Sequence, residues 1–127
     1  MNLLPFEGSL QRGDHSVAYF DARVDVPEVR EDIAKGGLTL GVRPEHIVLS
    51  ESGRIRGRVF AVEYLGTNQI VTVDLDRAMV KARLSSRTAA RVGETVGVDF
   101  QAQRLVVFNS ATGRATRSAL FEDCGRG

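Results

Sequence analysis

The chain has 127 residues, 43% of them hydrophobic and 26% charged, and a formal net charge of +1. That length fits one ordinary domain and excludes two large cores. The near-neutral balance excludes bulk electrostatic attraction to nucleic acid or to an anionic membrane as the organising function.

In chain order, the first twenty residues lack the basic start and apolar run of a secretory signal. Ala18, Phe20, Ala22 and Val24 alternate with Tyr19, Asp21 and Arg23, the period of a half-buried strand. The segment "PEVREDIAK", Pro27 to Lys35, is the one helical candidate: proline suits the first turn, Glu28 and Glu31 suit the positive end, and Gly36-Gly37 can stop it. Its few apolar residues leave a loop as the alternative. "LTLGV" reads as a strand, breaks at Arg43-Pro44-Glu45-His46, and resumes as "IVL".

"RIRGRVFAVEYL", Arg54 to Leu65, sets Ile55 and Val59 against Arg54, Arg56 and Arg58, then turns apolar on both faces. A long strand bent at Gly57 and serving two sheets gives that pattern. Three more period-two runs follow, at Val71 to Leu75, Val80 to Leu84 and Val96 to Phe100. "LGTNQ", "LDRA" and "RVGETV" connect them. Strands at such close spacing predict an all-β barrel or sandwich. The tail from Ala115 reads as loosely ordered, with Leu120 and Phe121 able to dock. Its Cys124 is the sole cysteine, which excludes an internal disulfide and favours a reducing setting. No apolar run reaches the roughly 20 residues that cross a bilayer.

Few residues invite chemistry. A phosphate loop needs GxxxxGK[ST], and neither Lys35 nor Lys81 stands in one. Two separated histidines and a tail cysteine do not make a tetrahedral zinc site. His15 and His46 lack a serine in a nucleophile turn. Arg43-Pro44-Glu45-His46 can be read as an acid–base site or as a turn, because Pro44 donates no backbone hydrogen bond and keeps Arg43 extended; the turn is the stronger reading. Asp74 and Asp76 share one strand face, as a metal pair or as a solvated strand end beside Arg77. Arg54, Arg56 and Arg58 form a stripe with no interleaved aromatics, which weakens a nucleic-acid reading. These residues point to a binding or regulatory module rather than an enzyme.

Four segments in order resemble one family. "MNLLP" (Met1 to Pro5) resembles the MNFxP segment after the nucleotide-binding domain of importer ATPases of the maltose and glycerol-3-phosphate type. "LGVRPEHI" (Leu40 to Ile47) is similar to their LGIRPEH motif. "GRVFAVEYLGTNQIVTVDL" (Gly57 to Leu75) resembles the strand-turn-strand that follows, and "VGETVGVDFQAQRLVVFNSATGRA" (Val92 to Ala115) the closing pattern, with Phe108-Asn109 where Phe-Asp is common. The family is the transport-associated OB (TOBE) domain of ABC importer ATPases. The resemblance implies a single OB-fold-like regulatory domain over residues 1–115, from a first stretch 1–42 and a second 43–115, before a loose tail 116–127. It implies a homodimer, an ATPase domain in the same natural chain, inner-membrane permease subunits and a possible cytoplasmic regulator as partners, at the cytoplasmic face of the inner membrane. No nucleic-acid partner is implied.

No Walker A, ABC signature, Walker B or switch histidine is present in the sequence. The expectation is therefore a fragment without ATP hydrolysis and without a cofactor, ATP and Mg belonging to a nucleotide-binding domain upstream. Arg43, Pro44, Glu45 and His46 are expected to form an architectural corner, with Arg43 paired to a buried Glu63. Phe60, Val62 and Tyr64 are the candidate dimer or partner contact. The alternative is a free-standing OB-type binding module for a small anionic or sugar ligand or nucleic acid.

Overall fold

The computed structural model describes residues 1–20, 22–116 and 118. The described residues form ten strands and two 3-10 turns, with no α-helix. The expected all-β class is what the chain adopts. Contacts divide it into two compact units: a flanking unit, Leu3–Val42 with Phe100–Gly127, and an inserted unit, Met1–Asn2 with Arg43–Asp99.

The flanking unit holds β1 (Asn2–Leu10) from Leu3 onward, β2 (Ser16–Tyr19), β3 (Ala22–Asp25), β4 (Ile33–Val42) and β10 (Val106–Asn109). One sheet has the order β1-β4-β10, and β2 pairs with β3. β10 runs antiparallel to β4, with Val106 opposite Gly41 and Asn109 opposite Leu38. Leu4, Phe6, Leu10, Leu38, Leu40, Val106 and Val107 are buried here, each large aliphatic side chain contributing about 1.5–3 kcal/mol relative to exposure. Phe6 meets Tyr19 edge-on, with ring centroids 5.9 Å apart.

Two expectations fail in this unit. The Ala18 to Val24 run is a hairpin, not one strand: Tyr19 pairs with Ala22 and Phe20 sits at φ 57. The reversal changes which residues face inward, so Val17, Tyr19 and Val24 are buried while Phe20 is exposed. Asp21 lies outside the described residues. The Pro27 to Lys35 helix does not form. The Val29 N–H donates to the Asp14 carbonyl and its own carbonyl accepts from Gly13, so both groups are committed across the chain, and β4 begins at Ile33. Of the tail, Leu120, Phe121 and Cys124 lie outside the described residues.

The inserted unit contains β5 (Ile47–Ser50), β6 (Ile55–Leu65), β7 (Asn68–Asp74), β8 (Met79–Ser85) and β9 (Thr95–Phe100). They form one sheet in the order β5-β9-β6-β7-β8. Ile47, Ile55, Val59, Val71, Val73, Val80, Ala82 and Val98 supply its core. β6 does not serve two sheets. Its first part, from Ile55 to Arg58, pairs with β9, and Arg58 to Leu65 pairs with β7, so the long strand has different neighbours on its two edges. The irregularity falls between Val59 and Ala61, not at Gly57. Gly57 has another role: a Cβ there would lie 2.6 Å from Val73 Cγ1 and 2.8 Å from Leu75 Cδ2, so only glycine lets β6 lie against these side chains.

Candidate functional site

Pro44–His46 forms a single 3-10 turn between β4 and β5. Arg43 precedes it at φ −75, ψ 149, the extended geometry that a following proline imposes. The turn closes through His46 N–H to the Arg43 carbonyl (3.0 Å) and Ile47 N–H to the Pro44 carbonyl. It packs against β8. A hydrogen bond from its own backbone N–H holds the Glu45 carboxyl below the usual carboxylate range, and the charges of His46, Arg43 and Arg83 act in the same direction. The His46 Nδ1 is buried with no hydrogen-bond partner among the described residues. No grouping of three or more potential metal ligands occurs among the described residues.

The expected Arg43–Glu63 pair is absent among the described residues. Glu28 instead pairs with Arg30 at 2.7 Å and lies 3.6 Å from His15 Nε2. Glu63 is exposed, opposite Ile70 near the β6–β7 turn. A carboxylate already in water needs no buried partner.

Phe60, Val62 and Tyr64 do not form the single stripe that simple alternation predicts. Phe60 is left unpaired at the register shift and is 59% exposed. Beyond it, Val62 pairs with buried Val71 and Tyr64 with buried Gln69. Val62 is half-buried, whereas Tyr64 is 66% exposed at the strand end. Gly93 N–H donates to the Val59 carbonyl, and Val59 N–H donates to the Glu94 carbonyl. These bonds bring the turn carrying Val92, itself 67% exposed, beside the Phe60 bulge. Leu65 is exposed at the far end of the same strand.

The arginine stripe and the aspartates share this unit. Arg56 Nη1 donates to the Glu51 carbonyl at 2.7 Å, and Arg54 N–H donates to Asp99 Oδ1. Arg58 stands opposite Asp74 on β7 and Thr95 on β9.

Comparison with known proteins gives these residues a family. The TOBE domain model matches residues 40–108, from within β4 to within β10 and across all of Arg43–Asp99. The chain belongs to the TOBE domain family. It is 34% identical over 105 residues to the maltose/maltodextrin import ATP-binding protein MalK of Photobacterium profundum, covering 79% of this chain and 28% of that protein. It is also 34% identical over 84 residues to the sn-glycerol-3-phosphate import ATP-binding protein UgpC of Ruegeria pomeroyi, covering 64% of this chain and 24% of that one. The chain thus spans about a quarter of the length of these curated relatives. Among solved structures, the cytoplasmic molybdate-binding protein ModG with molybdate bound superposes with a TM-score of 0.65 at 12% identity, over 84% of this chain and 94% of that one. That likeness is one of fold.

One buried residue of this TOBE domain escaped the sequence reading. Gln69 has 0% exposure, and its Nε2 donates to the Ser85 and Thr88 carbonyls at 2.9 and 2.6 Å. Ser86 adds bonds from its N–H to the Thr67 carbonyl and from its hydroxyl to the Gly66 carbonyl. The β6–β7 turn is thereby sewn to the segment after β8. In the sequence, Gln69 looks like an ordinary turn polar residue. Its one signal is that it falls at an inward position of the Val71–Val73 alternation.

Proposed function

We propose that this chain is the regulatory and dimerisation domain of the ATP-binding subunit of an ABC importer for a sugar, polyol or sugar phosphate. The TOBE match across Arg43–Asp99, in company with import ATP-binding relatives, supports this reading. In it, ATP hydrolysis belongs to another part of the natural chain. The domain works at the cytoplasmic face of the inner membrane with permease subunits, and no helix of the described residues is long and apolar enough to cross that membrane itself. Arg43 to His46 acts as a corner rather than a reactive site, and a cytoplasmic regulator is a further candidate partner.

The exposed apolar side chains of β6 and of the turn before β9 are the contact proposed for a second copy. Phe60, Tyr64, Leu65 and Val92 are its large exposed residues, with half-buried Val62 between the two aromatics in sequence. Stable interfaces remove roughly 800 Å² per partner from water, with aromatic anchors at their centre. Analytical ultracentrifugation of the chain tests it: self-association abolished by Phe60→Asp with Tyr64→Asp supports the contact. A monomer at all concentrations, or a dimer indifferent to both changes, rejects it. The reading as part of an importer ATP-binding subunit is tested separately, by whether the reading frame continues upstream into a GxxxxGK[ST] motif.

A second reading has its own support in the likeness to a molybdate-binding protein: a free-standing binding module. A stop codon and ribosome-binding site immediately before Met1 would favour it.

A further inference from the structure

Arg58 and Asp74 occupy directly opposite positions on β6 and β7, where Cβ atoms stand about 5 Å apart. Oppositely charged neighbours at that spacing ordinarily close on each other. These do not: among the described residues no ion pair includes either. Between them lies an open basin of about 440 Å³, lined by Arg56, Arg58, Asp74, Asp76 and Thr95, with Gly57 and Leu75.

The lining is held in place. Asp74 Oδ1 accepts the Asp76 N–H at 2.8 Å. The turn that carries Asp76 is closed by the Leu75 N–H to the Ala78 carbonyl, with Asp76 itself at φ 77. Arg56 is anchored through its Nη1 to the Glu51 carbonyl. Thr95 flanks Arg58 on its other edge. Among the described residues, one Asp74 oxygen, the Arg58 guanidinium, the Asp76 carboxylate and the Thr95 hydroxyl have no partner.

We infer that this basin binds a neutral polyhydroxy compound through a vicinal diol. Two guanidinium and two carboxylate groups sum to zero, so neither an anion nor a cation gains from the local charge: each meets repulsion from one pair. A pair of adjacent hydroxyls matches the wall, since each hydroxyl both accepts from a guanidinium and donates to a carboxylate. No aromatic ring lines the basin for stacking, so recognition is by hydrogen bonds alone. The basin lies wholly within one inserted unit and does not depend on dimerisation.

The test is an amide chemical-shift titration of the 127-residue chain with glycerol and with maltose, alongside 1,3-propanediol, whose hydroxyls are not vicinal, and inorganic phosphate. Saturable shifts from glycerol and maltose at Arg56 to Arg58, Asp74 to Asp76 and Thr95 are expected, with none from the two controls. Arg58→Met and Asp74→Asn should each weaken binding by about tenfold or more, the scale of one charge-assisted hydrogen bond. Arg58 is exposed, so its replacement leaves the fold readable in the same spectra. The inference is overturned by non-saturating shifts, by shifts unchanged in both variants, or by saturation with phosphate or 1,3-propanediol at the same amides.

Discussion

Gly53 and Gly97 approach so closely that neither has room for a side chain. A Cβ on Gly97 would lie 2.6 Å from the Ser50 carbonyl oxygen, and one on Gly53 would lie 2.7 Å from Gly97 Cα. Both residues are buried. The obstructing atoms are backbone, so no rotamer change can make space, and the link between β5 and β6 must move off β9. Gly97→Ala should therefore destabilise the protein by about 2–3 kcal/mol, at the upper end of overpacking costs. Gly36→Ala is the matched control: its Cβ would meet only the Ala34 carbonyl, at 3.9 Å, and it should stay within about 0.5 kcal/mol. Denaturant melts of the two variants check both values. Equal midpoints would remove the close approach as a constraint on the fold.

Gln69 makes a different kind of contribution. Its amide is the donor that satisfies the Ser85 and Thr88 carbonyls from inside the unit. Gln69→Leu keeps the volume and removes the donor, and should cost about 2 kcal/mol, the scale of newly unsatisfied buried acceptors. Gln69→Glu should cost more at neutral pH, because it places a carboxylate against those two carbonyls. Burial raises such a carboxyl's folded pKa above its unfolded value. The penalty is then largest at high pH and shrinks as pH falls through the folded value. Stability of the Glu variant should rise relative to the Leu variant on acidification; a constant gap between the two would refute this electrostatic account.

Period two in the sequence matches burial parity in the Val71 to Leu75 and Val80 to Leu84 runs. It carries no information where long-range pairing decides. Nothing local in "VAYFDARV" distinguishes a strand from a hairpin, because the turn rests on the left-handed backbone at Phe20. The bulge that leaves Phe60 unpaired shifts the parity of Val62 and Tyr64, and only the β7 register reveals it. The apolar neighbours of Glu63 suggest a buried carboxylate paired with Arg43, yet that end of β6 is open to solvent. Gly53 and Gly97 are 44 positions apart, and their contact exists only once β5, β6 and β9 are assembled. Period and turn chemistry expose a fold class, while register, bulges and close approaches belong to the folded chain.

Glu45 sets a pH dependence. Its folded pKa is lowered, chiefly by the hydrogen bond from its own N–H, with help from His46, Arg43 and Arg83. A lowered carboxyl stabilises the fold above its unfolded pKa, and that contribution disappears as pH falls through the folded value. Glu45→Gln should thus melt below the parent at neutral pH, and the two melting temperatures should converge in acid. The group is solvent-exposed, so the gap is expected to be small and to shrink further in high salt. A gap that persists at low pH would place the cause in the shape of the turn rather than its charge.

Asn2 closes the open edge of β8. Its Oδ1 accepts the Lys81 N–H at 2.8 Å, and its Nδ2 donates to the Lys81 carbonyl at 2.9 Å. One side-chain amide thus satisfies both backbone groups of one residue, as a neighbouring strand would. An edge left bare is a template for pairing with other chains. Asn2→Ala should lose both bonds, at about 1–2 kcal/mol for the pair, and the Lys81 amide should exchange its hydrogen faster. Asn2→Asp retains the acceptor and discards the donor, so Lys81 N–H protection should survive in part while stability falls to an intermediate value. Hydrogen exchange at Lys81 in the three proteins separates these cases. Unchanged protection in Asn2→Ala would mean that β8 is shielded by its packing against the Pro44–His46 turn, with Asn2 contributing nothing.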